Sequence, residues 1–158
     1  MAEARLLTEG TPAPAFTTLN QNGETVSLSD FSGKKVVLYF YPKAMTPGCT
    51  TQACGIRDTR AEFEQRNTVV LGVSPDAPKR LLKFIEKENL NFDLLSDEDL
   101  ALCNAYGVWG LKKFMGKEYD GVHRVTYVID EQGIIRHVMG KVTTKSHHDD
   151  VLKVVDSL

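Results

Sequence analysis

The stretch Lys35-Val36-Val37-Leu38-Tyr39-Phe40-Tyr41, closed by Pro42, restricts the possible folds more than any other part of the chain. Apart from Lys35 it is uninterruptedly apolar, β-branched or aromatic. A strand without a polar face belongs to a sheet that is covered above and below. Val69-Val70-Leu71-Gly72-Val73 is a second strand of the same kind. Between them, from Cys49 to about Arg66, Ile56, Ala61 and Phe63 lie on one face of an expected helix. Ser74-Pro75-Asp76-Ala77-Pro78 opens another, with Leu81, Leu82, Phe84 and Ile85 clustered on one side. Strand, helix, strand, helix is the βαβ pattern.

Asn22-Gly23 between Phe16–Asn20 and Glu24–Leu28 predicts an N-terminal β-hairpin. Further on, Phe92–Leu95 reads as a short strand, Asp97–Tyr106 as a short helix and Val125–Ile129 as a buried strand. Glu131-Gln132-Gly133 turns the chain into Ile134–Met139, which returns antiparallel and makes the sheet mixed. A last helix, from about Lys145 to Leu158, buries Val151, Leu152, Val154 and Val155. The expected fold class is α/β, a sandwich with helices on both faces of a mixed central sheet.

At 158 residues the chain has the size of one domain that buries a full core without disulfides or a structural metal. A net charge of -2 offers no basic field for nucleic acid and no polybasic anchor for a membrane surface. Residues 1–14 carry charges at Glu3, Arg5 and Glu9 and lack the apolar core of a signal peptide, so a cytoplasmic location is expected. Three cysteines in a reducing compartment are no disulfide scaffold, but two close together suggest redox chemistry.

Those two lie where the first buried strand hands over to a helix, the place where open α/β sheets put their ligand sites. Cys49, after Pro47-Gly48, falls in the first turn of the helix, where unpaired N–H groups and the positive dipole end favour an anion. The thiolate is the nucleophilic form of cysteine. A position just past Pro-Gly is not a core position, which argues against an inert buried thiol. Cys54 is either a resolving thiol or a small residue packing the helix on the sheet. In a regular helix its Cα stands about 8.6 Å from that of Cys49, beyond the roughly 7 Å that a disulfide spans. A bond between them therefore requires local unwinding, which the weak helix formers Thr50, Thr51 and Gly55 favour. Cys103, among Leu100, Ala101, Leu102 and Ala105, reads as a core thiol. Arg124, at the head of an apolar strand, is either an exposed strand-end residue or the partner of an anion.

The run Pro42-Lys43-Ala44-Met45-Thr46-Pro47-Gly48-Cys49 resembles the active-site motif of the peroxiredoxins. Together with Cys54, Leu94-Leu95-Ser96-Asp97, Tyr106-Gly107-Val108-Trp109-Gly110 and Asp120-Gly121-Val122-His123-Arg124, it is similar to the bacterioferritin comigratory protein, or peroxiredoxin Q, group over nearly the whole chain. The resemblance implies a thioredoxin-like fold with an N-terminal extension and reduction of hydrogen peroxide and organic hydroperoxides. It also implies recycling by thioredoxin or a similar dithiol protein, a monomer, and no metal or organic cofactor. By the same resemblance Cys49 is the peroxidatic cysteine, Cys54 the resolving one, Thr46 the hydroxyl that bonds thiolate and peroxide, Pro42 the residue shaping the pocket, and Arg124 the active-site arginine.

Other readings carry less. A thioredoxin-like reductase needs a CxxC pair, which Cys49 and Cys54 do not make, and a proline where Arg124 stands. A redox sensor or holdase remains a compatible second role. A zinc site from the cysteines fits no standard spacing. His147-His148-Asp149-Asp150 reads as a solvated helix start, since neighbours on a helix point about 100° apart.

Overall fold

The computed structural model describes residues 4–158. The apolar run forms β3 (Lys35–Phe40), in which every residue after Lys35 is buried. Alternate side chains enter opposite faces, as a strand's period of two requires. Val37 and Tyr39 join one core, and Val36, Leu38 and Phe40 join the other.

Before β3 come the expected hairpin, β1 (Thr17–Asn20) and β2 (Thr25–Ser27), and a short 3-10 turn, Leu28–Phe31. After it come α1 (Pro47–Asp58), α2 (Arg60–Gln65), β4 (Thr68–Ser74), α3 (Pro78–Glu88), β5 (Leu94–Ser96) and α4 (Ala101–Ala105). The chain ends with β6 (Trp109–Phe114), β7 (Lys117–Val122), β8 (Val125–Ile129), β9 (Ile135–Met139) and α5 (His147–Asp156). Seven strands make one mixed sheet in the order β2-β1-β5-β4-β3-β8-β9. β3 runs parallel to β4 and antiparallel to β8. β1 pairs with β5 as well as β2, so the N-terminal hairpin extends the main sheet.

One face is covered by α1, α2, α3 and α5, through Ala53, Ile56, Phe63, Leu81, Phe84, Val151 and Val155. On the opposite face Leu102 and Cys103 of α4, with Phe16, Tyr106 and Val108, cover Val36, Leu38, Phe40, Leu71 and Tyr127. Helices therefore lie on both faces, as the sequence pattern predicts. Of the four positions expected to be buried on α5, Val154 is only partly covered.

Three elements differ from expectation. The helix expected from Cys49 to about Arg66 begins earlier, with Pro47 in its first turn, and breaks at Thr59 (φ -111, ψ 11). There the Thr59 hydroxyl donates to the Gly55 carbonyl at 2.8 Å, a side-chain bond that competes with continued helix. The expected helix Asp97–Tyr106 shortens to α4 because Asp97 folds back as a cap, accepting the Leu102 and Cys103 N–H groups at 2.9 and 2.8 Å. The separate β6–β7 ribbon was not expected. Its two-residue turn, Met115-Gly116, has φ of 51° and 78°, both positive as a tight hairpin demands, but it lacks the Asn-Gly signature that announces the first hairpin.

Candidate active site

β3 and β8 pair with Phe40 opposite Val125. That register brings the loop leaving β3 and the head of β8 to one end of the sheet. Pro42 follows Tyr41 out of the strand and is half-buried. The loop is then fixed by Asp76, whose carboxylate accepts the Ala44 N–H and the Ser74 hydroxyl, each at 2.8 Å. Arg80 donates to the Ala44 carbonyl at 2.9 Å and pairs with Asp76 at 3.1 Å. Met45 is held at φ 65°, a region costly for a residue with a side chain, and the anchored loop sustains it.

Thr46 caps α1 by position, its carbonyl accepting the Thr50 N–H at 2.9 Å. Its hydroxyl donates to the Lys43 carbonyl at 2.8 Å and not, as the resemblance implies, to the Cys49 sulfur, so its one proton is engaged there and its lone pairs remain free to accept. Cys49 occupies the first turn of α1 as expected, yet it is only 2% exposed and not on an open loop tip. The cause lies above it: the Arg124 guanidinium covers the helix start, with Nη2 3.2 Å from Cys49 Sγ. Gly48 makes this approach possible, since a Cβ at that residue would stand 3.0 Å from Arg124 Nη2.

Arg124 does not reach the sulfur alone. Its Nη1 donates to Gln52 Oε1 at 2.9 Å, and Gln52 sits one turn after Cys49 on the same helix face. From β6, Lys112 closes the same corner, its amine donating to the Val122 carbonyl at 2.9 Å. Burial lowers the affinity of that amine for its proton, Arg124 adds to the effect, and the nearness of Cys49 opposes it. The guanidinium against the sulfur, with the Lys112 amine in the same corner, makes a field suited to an oxygen gaining charge as an O–O bond breaks.

Cys54 is partly buried and faces elsewhere, with Sγ 3.7 Å from Glu88 Oε2 of α3. Burial is the main factor pushing its thiol up; Arg57 pulls it down and the Glu88 carboxylate pushes it up again. Arg57 also donates to the Glu88 carbonyl at 2.6 Å, so this stretch of α1 is fastened to the end of α3. The thiols of Cys49 and Cys54 are free and have different neighbours. Cys103 is wholly buried, as expected of a core thiol, and burial followed by the Asp97 carboxylate pushes it far up.

His147 corrects the expectation of a solvated helix start. It has no exposed surface and lies between Gln52 and Thr126, with Nδ1 3.2 Å from Gln52 Nε2 and Nε2 2.8 Å from Thr126 Oγ1. Burial lowers its pKa to about 4. His148 does remain near the surface, its ring lying over Gly55 of α1. Sequence reasoning therefore missed Gln52, Lys112 and His147 as site residues. The spacing of Gln52 from Cys49 was an available signal; nothing local marks the other two.

The sequence profile of the AhpC/TSA family matches residues 10–138. The chain belongs to this family of peroxiredoxins. The peroxiredoxin is 55% identical over 146 residues to peroxiredoxin Bcp of Escherichia coli K12, covering 92% of this chain and 94% of that one. It is 46% identical over 149 residues to peroxiredoxin Bcp of Bacillus subtilis, covering 94% and 95%. Among solved structures it is similar to the Xanthomonas campestris bacterioferritin comigratory protein, studied for alkyl peroxide reduction, with a TM-score of 0.87, 32% identity and 98% of both chains covered. It is also similar to BcpB of Mycobacterium tuberculosis, with a TM-score of 0.85, 32% identity, and 96% and 98% covered. These relatives are thiol peroxidases, and the fold of this peroxiredoxin is the thioredoxin-like one of the group. Among the described residues no helix is long and apolar enough to cross a membrane.

Proposed function

We propose that the peroxiredoxin reduces hydrogen peroxide and organic hydroperoxides through Cys49, with Cys54 as resolving cysteine and thioredoxin or a similar dithiol protein as reductant. The observation that carries this reading is the Arg124 guanidinium 3.2 Å from Cys49 Sγ at the start of α1. The thiolate attacks one peroxide oxygen in line with the O–O bond. A sulfur–oxygen bond forms, the O–O bond breaks, and the leaving oxygen takes a proton as water or alcohol. Arg124 and Lys112 stabilise the charge on that oxygen, while the Thr46 hydroxyl oxygen accepts a hydrogen bond from the hydroperoxide O–H as the substrate is positioned, a role left open by its bond to Lys43. Pro42 walls the pocket.

Cys54 then attacks the sulfenic sulfur and hydroxide departs as water, giving a Cys49–Cys54 disulfide. Two thiol exchanges with the reducing protein restore both cysteines and keep Cys49 from irreversible over-oxidation. The peroxiredoxin acts as a cytoplasmic monomer in antioxidant defence, without a cofactor.

Steady-state kinetics with several hydroperoxides, each coupled to thioredoxin, to glutaredoxin or to glutathione, test the reading. Cys49→Ser abolishes peroxide consumption. Cys54→Ser retains one stoichiometric turnover but loses turnover with thioredoxin. Undiminished consumption by Cys49→Ser refutes the assignment.

A further inference from the structure

We infer that His147 is a positioning residue that holds Arg124 against Cys49 by fixing which way the Gln52 amide faces. Arg124 Nη1 has only a proton to give, so the Gln52 atom 2.9 Å away must be the carbonyl oxygen. The amide NH2 is thereby turned toward His147 Nδ1, 3.2 Å away, and Nδ1 must accept. A neutral imidazole that accepts at Nδ1 carries its proton on Nε2, which donates to Thr126 Oγ1 at 2.8 Å. Gln52, Thr126 and His147 all have no exposed surface, so each polar atom relies on the next.

The arrangement tolerates only this tautomer. A proton on Nδ1 sets two donors face to face, and rotating the Gln52 amide to relieve them turns the NH2 onto the guanidinium. Arg124 therefore keeps its bond to Gln52 only while Nδ1 is bare. Several groups face the ring: Asp150 and His148 from its own helix, Arg124 from the head of β8, and the Tyr39 ring of β3, edge-on with centroids 5.4 Å apart. Burial keeps the ring neutral, with His148 and Arg124 acting the same way against the pull of Asp150.

The kinetic arm of this inference rests on the reading of Cys49 and Arg124 as the reacting pair; the tautomer does not. The experiment uses the reduced full-length protein labelled with 15N-histidine at neutral pH, and compares His147→Asn with His147→Gln. Nitrogen NMR should find His147 protonated at Nε2 and bare at Nδ1. An Asn oxygen can stand where Nδ1 stands, whereas a Gln amide reaches the Nε2 position. His147→Asn should therefore keep the rate constant for Cys49 oxidation by hydrogen peroxide within about threefold, while His147→Gln loses about tenfold or more, as expected when a catalytic group is misplaced. Equal rates for the two variants, or a proton on Nδ1 in the native protein, overturn the assignment. If neither variant folds, the NMR result on the native protein decides. The correct tautomer with no peroxidase activity in the native protein would sink the functional reading and leave the positioning geometry standing.

Discussion

Closure of a Cys49–Cys54 disulfide on this scaffold requires α1 to open, and Gly55 offers a way to change the cost of opening without touching the reacting groups. Both cysteines lie in one helix, Pro47–Asp58, where five residues separate Cα atoms by about 8.6 Å, too far for the bond. Alanine at a helix-interior glycine favours the helical state by about 1 kcal/mol. In the native protein that gain is masked, because a Cβ on Gly55 would stand 2.3 Å from His148 Nδ1 and the ring would have to swing away. The clean comparison is therefore Gly55→Ala made on a His148→Ala background, where the space is vacant. One kcal/mol corresponds to about a fivefold change in the open fraction, and so in the rate of disulfide closure if opening precedes it. The assay is a rapid-quench series after one equivalent of hydrogen peroxide, with thiols alkylated and the sulfenic acid and disulfide forms counted by mass spectrometry. Sulfenic acid should form equally fast in both proteins, and the disulfide about five times more slowly in the double variant. Equal closure rates would refute the requirement for unwinding.

Two further outcomes follow from the site. Gly48→Ala places a methyl 3.0 Å from Arg124 Nη2 and displaces the guanidinium by a few tenths of an ångström, so peroxide reduction should slow by up to about tenfold while the urea midpoint holds or rises; a parallel loss of stability would point to damaged folding instead. His147 titrates at about 4 in the folded chain against 6.5 unfolded, so the unfolded chain binds the extra proton first: its contribution is complete above pH 6.5 and is lost as pH falls toward 4. Between pH 7 and 4.5 the native protein should lose about 2 kcal/mol more than His147→Asn, measured by urea unfolding, and identical losses would contradict a buried neutral imidazole.

The centre of the sheet was legible because β3 and β4 are marked by nearly uninterrupted apolar runs, and the first hairpin because Asn22-Gly23 marks a tight turn. The β6–β7 ribbon was not, since WGLKKF shows no regular alternation, KEYDGV is largely polar and exposed, and the turn between them is Met-Gly. In the site, Cys49 and Arg124 come together as the motif implies, though Cys49 lies far deeper than its Pro-Gly neighbours suggest. His147 was misread for a physical reason: the pair of aspartates after it looks like solvated helix start, and only the packing of α5 against α1 reveals that the first of two adjacent histidines faces inward.

Gln52 lies between Cys49 and Cys54, within the segment that the proposed disulfide would unwind. Its departure would take away the carbonyl that Arg124 leans on, so the groups that receive peroxide and the bond that ends the reaction compete for the same few residues. With that disulfide in place the enzyme could not be half reset. Until a reductant opened it, the pocket for the next oxidant would stay dismantled, and each molecule of peroxide would be answered by a complete cycle before another was accepted.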